Sequence, residues 1–206
     1  MRINLILIIA VVLLLACNDN ESTKETVVTL IEKPLLTAET NKKHIEKGKE
    51  IAQKAFIVLS GNVKQAMANG GIENALTYCN INAGGLMDSL SNYYRVTIKR
   101  TSRKTRNQTN NPTTEEKVVL DKYLEMKNKG KEMSPIISFL ANGDTVFYAP
   151  IIMQPLCVSC HGTVGENISK ENYAIIKNYY TTDKAIDFKA GDLRGIWSIT
   201  FNKGGF

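Results

Sequence analysis

Residues 135–161 read PIISFLANGDTVFYAPIIMQPLCVSCH. Two apolar runs, residues 135–140 and 145–151, flank Ala141-Asn142-Gly143-Asp144. Both runs are rich in β-branched and aromatic side chains, which favour strands. Asn-Gly between them is hairpin-turn chemistry, so the stretch predicts an antiparallel hairpin. Just behind the second run stands Cys157-Val158-Ser159-Cys160-His161, a C-x-x-C-H pattern.

Working outward, residues 170–180 carry a helical pattern, and the chain closes on LRGIWSITF, residues 193–201, a further strand. Upstream, Thr113 or Thr114 can cap a helix to about Asn128, with Glu115 and Glu116 in its first turn. Asn107 to Pro112 is turn-rich, and residues 93–99, YYRVTIK, read as a strand. Residues 39–61 carry Ile45, Ile51, Ala52, Ala55, Phe56, Val58 and Leu59 at helical spacing. Gly61 either ends or bends that helix, and Asn69-Gly70-Gly71 is a clear break. A second helix follows over residues 72–90, with Ile72, Ala75, Leu76, Cys79, Ala83 and Leu86 on its apolar stripe. Helices and antiparallel strands in this order predict an α+β domain, a small antiparallel sheet with helices packed on it.

C-x-x-C-H is the attachment signature of c-type haem. Two thiols at this spacing add across the haem vinyl groups, and the following histidine places its imidazole under the iron. Cys157 and Cys160 are thus the candidate attachment residues and His161 the proximal ligand. A redox dithiol would want a thioredoxin-like βαβ surround, and zinc would want four clustered ligands from a chain with four Cys and two His.

Residues 1–16, MRINLILIIAVVLLLA, combine Arg2 with an apolar run shorter than the roughly 20 residues of a spanning helix. They read as a secretory signal. Leu14-Leu15-Ala16-Cys17 resembles a bacterial lipobox, in which Cys17 becomes the acylated first residue. Acyl chains contribute about 0.8 kcal/mol per buried methylene. Residues 17–37 are polar and irregular and read as a flexible tether, with a root-mean-square reach of about 25 Å. The remainder, 38–206, is one domain on the length prior. Export matches the haem signature, because bacterial c-type haem is attached outside the cytoplasm. The protein is therefore expected to be lipid-anchored, facing the periplasm or the cell exterior.

The chain holds 26 Lys and Arg against 20 Asp and Glu, a net charge of +6, one unit lower once Arg2 is removed. This modest balance is no nucleic-acid footprint. It is densest at Lys99-Arg100-Thr101-Ser102-Arg103-Lys104-Thr105-Arg106, either a solvated face or a source of partners for haem propionates.

Several pieces together resemble a single-haem c-type family first catalogued as a domain of unknown function. The family also occurs as the extracytoplasmic sensor module of histidine kinases. The matching pieces are Ala75-Leu76-Thr77-Tyr78-Cys79, Ser102 with Arg106-Asn107, Asn110, Pro112, and Glu115 or Glu116. They continue through Pro155-Leu156-Cys157-Val158-Ser159-Cys160-His161-Gly162 and Gly191-Asp192-Leu193-Arg194-Gly195-Ile196. Gln108 departs from the pattern, where the family has proline. The resemblance implies a PAS-like fold, one covalent haem c, and Cys79 as second axial ligand. It also places Arg106 at a haem propionate.

By inventory, Cys79 is the thiol left once Cys17, Cys157 and Cys160 are assigned. His44, set among Lys42, Lys43 and Lys47 and read as solvent-exposed, is an alternative ligand, as are Met67, Met87, Met126, Met133 and Met153. A His/Cys-ligated haem of low potential suits electron transfer or a redox-responsive role. A redox or diatomic-gas sensor signalling through a separate partner is the alternative. A haem peroxidase would need a distal histidine, for which His44 is the candidate.

Overall fold

The structure is a computed structural model and describes residues 38–203. The signal segment, Cys17 and the tether lie outside the described residues. Four strands form one antiparallel sheet in the order β1-β4-β3-β2: β1 Thr97–Thr101, β2 Ile136–Phe139, β3 Thr145–Ile152 and β4 Leu193–Phe201. The helices are α1 Ala38–Tyr94, α2 Thr114–Asn128, α3 Val158–His161 and α4 Lys170–Tyr179. This is the expected α+β arrangement, and β2 and β3 form the expected hairpin.

Helix α1 is two arms joined at Gly70-Gly71. Gly71 has φ 69° and ψ −163°, a backbone that a side chain would strain. Asn74 Nδ2 donates to the Ala66 carbonyl across the break (2.8 Å), and Asn62 Nδ2 donates to Tyr78 Oη (2.8 Å), so the arms fold back alongside each other. Gly61 neither ends nor bends the first arm, which runs on to the break. The second arm also outlasts its expected end. Tyr93 and Tyr94 are its last helical residues, and Arg95, at φ 56°, turns the chain into β1.

The two sheet faces carry separate cores. On one, Ile51, Ala52, Ala55 and Met87 of α1 meet Ile98, Phe147, Trp197, Ile199 and Phe201. On the other, Val119, Leu120 and Tyr123 of α2 meet Val146, Tyr148 and Ile196. Helix α2 begins in a full capping box: Thr113 Oγ1 accepts from Glu116 N, and the Glu116 carboxylate accepts from Thr113 N.

His44 is a correction. It is buried, with Nδ1 at 2.8 Å from the Thr40 carbonyl and its ring edge-on to Phe201 at 5.0 Å. The lysines around it mark the wet sides of the helix. His44 itself shares the stripe of Gly48, Ile51 and Ala55, four, seven and eleven residues on.

A Cβ placed on Gly48 would lie 2.2 Å from the Phe147 ring, so bare glycine sets how closely α1 approaches β3. Helix propensity alone would favour alanine by about 1 kcal/mol. The overlap should reverse that sign, and Gly48→Ala is expected to destabilise by about 1–3 kcal/mol. A urea midpoint at or above wild type would show that the helix can lift off the sheet at little cost.

Candidate functional site

Between β3 and β4 the chain leaves the sheet and returns. The base of this excursion is pinned where Met153 N donates to Asp192 O and Gly191 N to Met153 O, both at 2.9 Å. The excursion contains α3, α4 and the segment after α4. A 3-10 turn, Pro155–Cys157, leads into α3, so Cys157, Cys160 and His161 sit on consecutive tight turns. Gly162 ends α3, its N–H donating to Val158 O at 2.8 Å, and a Cβ there would come 2.6 Å from that same carbonyl.

His161 is held from both its main chain and its ring. Its carbonyl accepts from Phe188 N (3.0 Å), and its ring Nδ1 lies 2.8 Å from the Ala185 carbonyl. A carbonyl only accepts, so Nδ1 carries the hydrogen and Nε2 keeps the lone pair. Burial, with Arg194 and Arg106 adding, holds the imidazole pKa well below its ordinary value. His161 is therefore a neutral imidazole at neutral pH, with an unprotonated Nε2.

Cys79 is carried to the same place by the second arm of α1. Leu76, one turn before it, packs with Ile168 and Ile176, and Cys160 packs against that cluster. Burial pushes the Cys79 thiol pKa up, and Arg100 and Arg106 pull it back. Cys160 is raised by burial first; Arg106 opposes this, and Cys79 and Cys157 add to it, so the three thiols share one electrostatic neighbourhood. Tyr180 is raised by burial and then by Cys79, which places its phenol there as well.

Three arginines converge. Arg100 of β1 lies over Trp197 at 6.0 Å, and Arg194 of β4 over Phe188 at 5.1 Å, with its Nη1 donating to Lys104 O at 3.1 Å. Burial and the two neighbouring guanidiniums push Arg194 down to about 10. Arg106 is committed elsewhere: Nε and Nη2 reach the Asp183 carboxylate (3.2 Å each), and Nη2 also donates to Cys160 O (2.6 Å) and Ala185 O (3.2 Å). Asp183 has a fully buried side chain. Among the described residues neither Arg100 nor Arg194 has a carboxylate within ion-pair distance. Of the three guanidiniums, only that of Arg106 is paired with a carboxylate.

Cys79, Cys157, Cys160, His161 and Arg106, all singled out in the sequence, meet in this one region. Cys17 lies outside the described residues. Met87, Met126 and Met133 belong to the two sheet cores, and Met153 is buried at the base of the excursion. Asp183, Ala185 and Tyr180 had no sequence signal. Arg194 had one: a cation within an otherwise apolar strand run. Among the described residues no three His, Cys, Asp or Glu side chains converge as a site for a bare metal ion.

Fold and site together define a class: an α+β domain whose sheet carries, on one excursion, a C-x-x-C-H turn in the neighbourhood of a helix-borne cysteine. Residues 20–202 match the family described as Tll0287-like, and the chain belongs to that family. Among solved structures it is similar in fold to the cyanobacterial heme-protein Tll0287, with 19% identity and a TM-score of 0.56 over 82% of this chain and 98% of that one. No curated protein matches it significantly.

Proposed function

We propose that this protein carries one covalent haem c and acts as an exported, lipid-anchored electron-transfer or redox-responsive protein. The observation that carries the reading is the His161 ring, fixed through Nδ1 by Ala185 and keeping an unprotonated Nε2 within a C-x-x-C-H turn. This is how a ligand histidine is commonly oriented, by a hydrogen bond on its other nitrogen.

The surroundings fit the group. Cys157 and Cys160 stand at the attachment spacing, and Cys79 supplies a thiol from a separate element. The uncompensated charge of Arg100 and Arg194 suits two propionates. Arg106, whose Nε and Nη2 are occupied by Asp183 and two carbonyls, has a lesser claim on a propionate than the sequence suggested.

Haem supplies one-electron chemistry at its iron. The protein's part is to hold two ligands, exclude water and balance charge. His161 is kept neutral and oriented. Cys79 is kept from ionising by burial until a metal takes the place of its proton. Leu76, Ile168 and Ile176, all buried, close one side against solvent. His44, the histidine a peroxidase reading needs, is buried beside Phe201, which weighs against that reading. A sensor signalling through a separate partner would use the same site, and the redox or signalling partner is to be sought in the exported compartment.

The test is direct. Protein exported alongside a c-type maturation system, denatured and run on a gel, should retain haem-dependent peroxidase stain. Complete extraction of the haem into acid-acetone would reject the proposal.

Anchoring makes its own prediction. Cells fed a clickable fatty acid should label the wild-type protein and leave Cys17→Ser unlabelled and released into the soluble exported fraction. Equal label on both would remove the lipid anchor.

A further inference from the structure

The Ala185 carbonyl receives two hydrogens: His161 Nδ1–H at 2.8 Å and Arg106 Nη2–H at 3.2 Å. Arg106 is in turn held by the Asp183 carboxylate, and the same carboxylate accepts from Ala185 N at 2.8 Å. Arg106 also donates to the carbonyl of Cys160, the residue before His161. Asp183, Arg106 and Ala185 therefore form a closed brace around one side of the imidazole. Its ion pair is buried, with 11% of the Arg106 side chain exposed and none of Asp183.

Given the haem reading above, we propose that the Asp183–Arg106 pair is the potential-setting brace of the proximal histidine. The physical argument has two parts of the same sign. A carbonyl that accepts strongly from Nδ1–H gives the imidazole anionic character, which favours ferric iron. Arg106 draws on the same carbonyl and weakens that acceptance. Its positive charge, beside the carbonyls of Cys160 and Ala185, would also favour the ferrous state of a haem held by His161, while the charge of Asp183 offsets it. Both residues are positioning residues: they act through Ala185 and His161 and through their own charges, and no bond in the brace breaks when one electron is gained.

The two charges predict opposite effects. Arg106→Gln leaves the Asp183 anion and frees the Ala185 carbonyl for His161, so the equilibrium for reduction should fall about tenfold, or 59 mV for one electron. Asp183→Asn leaves the Arg106 cation and should raise it by a similar factor. The double variant should return towards wild type. Arg106→Lys keeps the charge and should stay within about threefold, whatever it does to the melting temperature.

The experiment is spectroelectrochemical titration of the full-length holoprotein and these four variants. The His161 Nδ1–H resonance is followed by NMR in the reduced state, where it should move in opposite directions in Arg106→Gln and Asp183→Asn. A purely structural pair would shift both single variants the same way, or lower stability with the potential unmoved, and either result overturns the brace alone. If wild-type protein fails to keep haem through the denaturing gel, the haem reading fails and the brace with it.

Discussion

Cys157→Ser or Cys160→Ser should abolish or sharply reduce haem retained through denaturation, with the double variant retaining none. Each thiol stands on a tight turn that leaves no other cysteine within the C-x-x-C-H unit to replace it. Cys79 is on a different element and cannot take over the attachment spacing. The check is peroxidase stain after denaturing electrophoresis, normalised to protein. Undiminished stain in the double variant would mean that any haem is held by other groups. The same variants separate haem from zinc or a dithiol, because neither leaves a haem stain.

Cys79→Ala should change the iron rather than its attachment. With thiolate opposite His161, the ferric protein is expected to be low-spin with a thiolate-type paramagnetic signature. Removing the thiol should yield a high-spin centre or a substitute ligand, raise the potential, and open the iron to carbon monoxide at once on reduction. Desolvation keeps this half-buried thiol from ionising readily by itself, and Arg100 and Arg106 only partly oppose it. The thiolate expected at neutral pH would then come from coordination. An unchanged ferric spectrum in Cys79→Ala would strike it from the ligand set and leave a methionine to be considered. His44 would not return, being packed against Phe201.

Much of the fold is legible locally. Asn142-Gly143 places the hairpin, Gly70-Gly71 the break in α1, and Thr113 with Glu116 the start of α2. These signals are short-range by nature: a turn or cap is decided within a few residues. The misreadings have the same root. Gly61 looks like a terminator, yet its backbone is helical and space is open around it. Tyr93 and Tyr94 look like strand residues, but Tyr94 packs on the core from a helix that ends without glycine, at Arg95.

The site divides in the same way. C-x-x-C-H is local, and Cys79 falls on a periodic stripe, so both can be singled out from sequence. The brace cannot. Arg106 meets Asp183 across 77 positions of chain and Ala185 across 79, and nothing near residue 183 marks it as a partner. Arg106 was legible as a cation near the chemistry, and its partners were not.

Strand β4 gives the domain two poles. Arg194, near its first residue, belongs to the site, and Phe201, its last, holds His44 in the opening turns of α1. Seven residues of strand separate them, about 23 Å. The opening turns of α1 therefore lie at the pole away from the site. The two ends of one strand thus serve different tasks: Phe201 holds the start of α1 by packing, and Arg194 brings positive charge to the surroundings of His161.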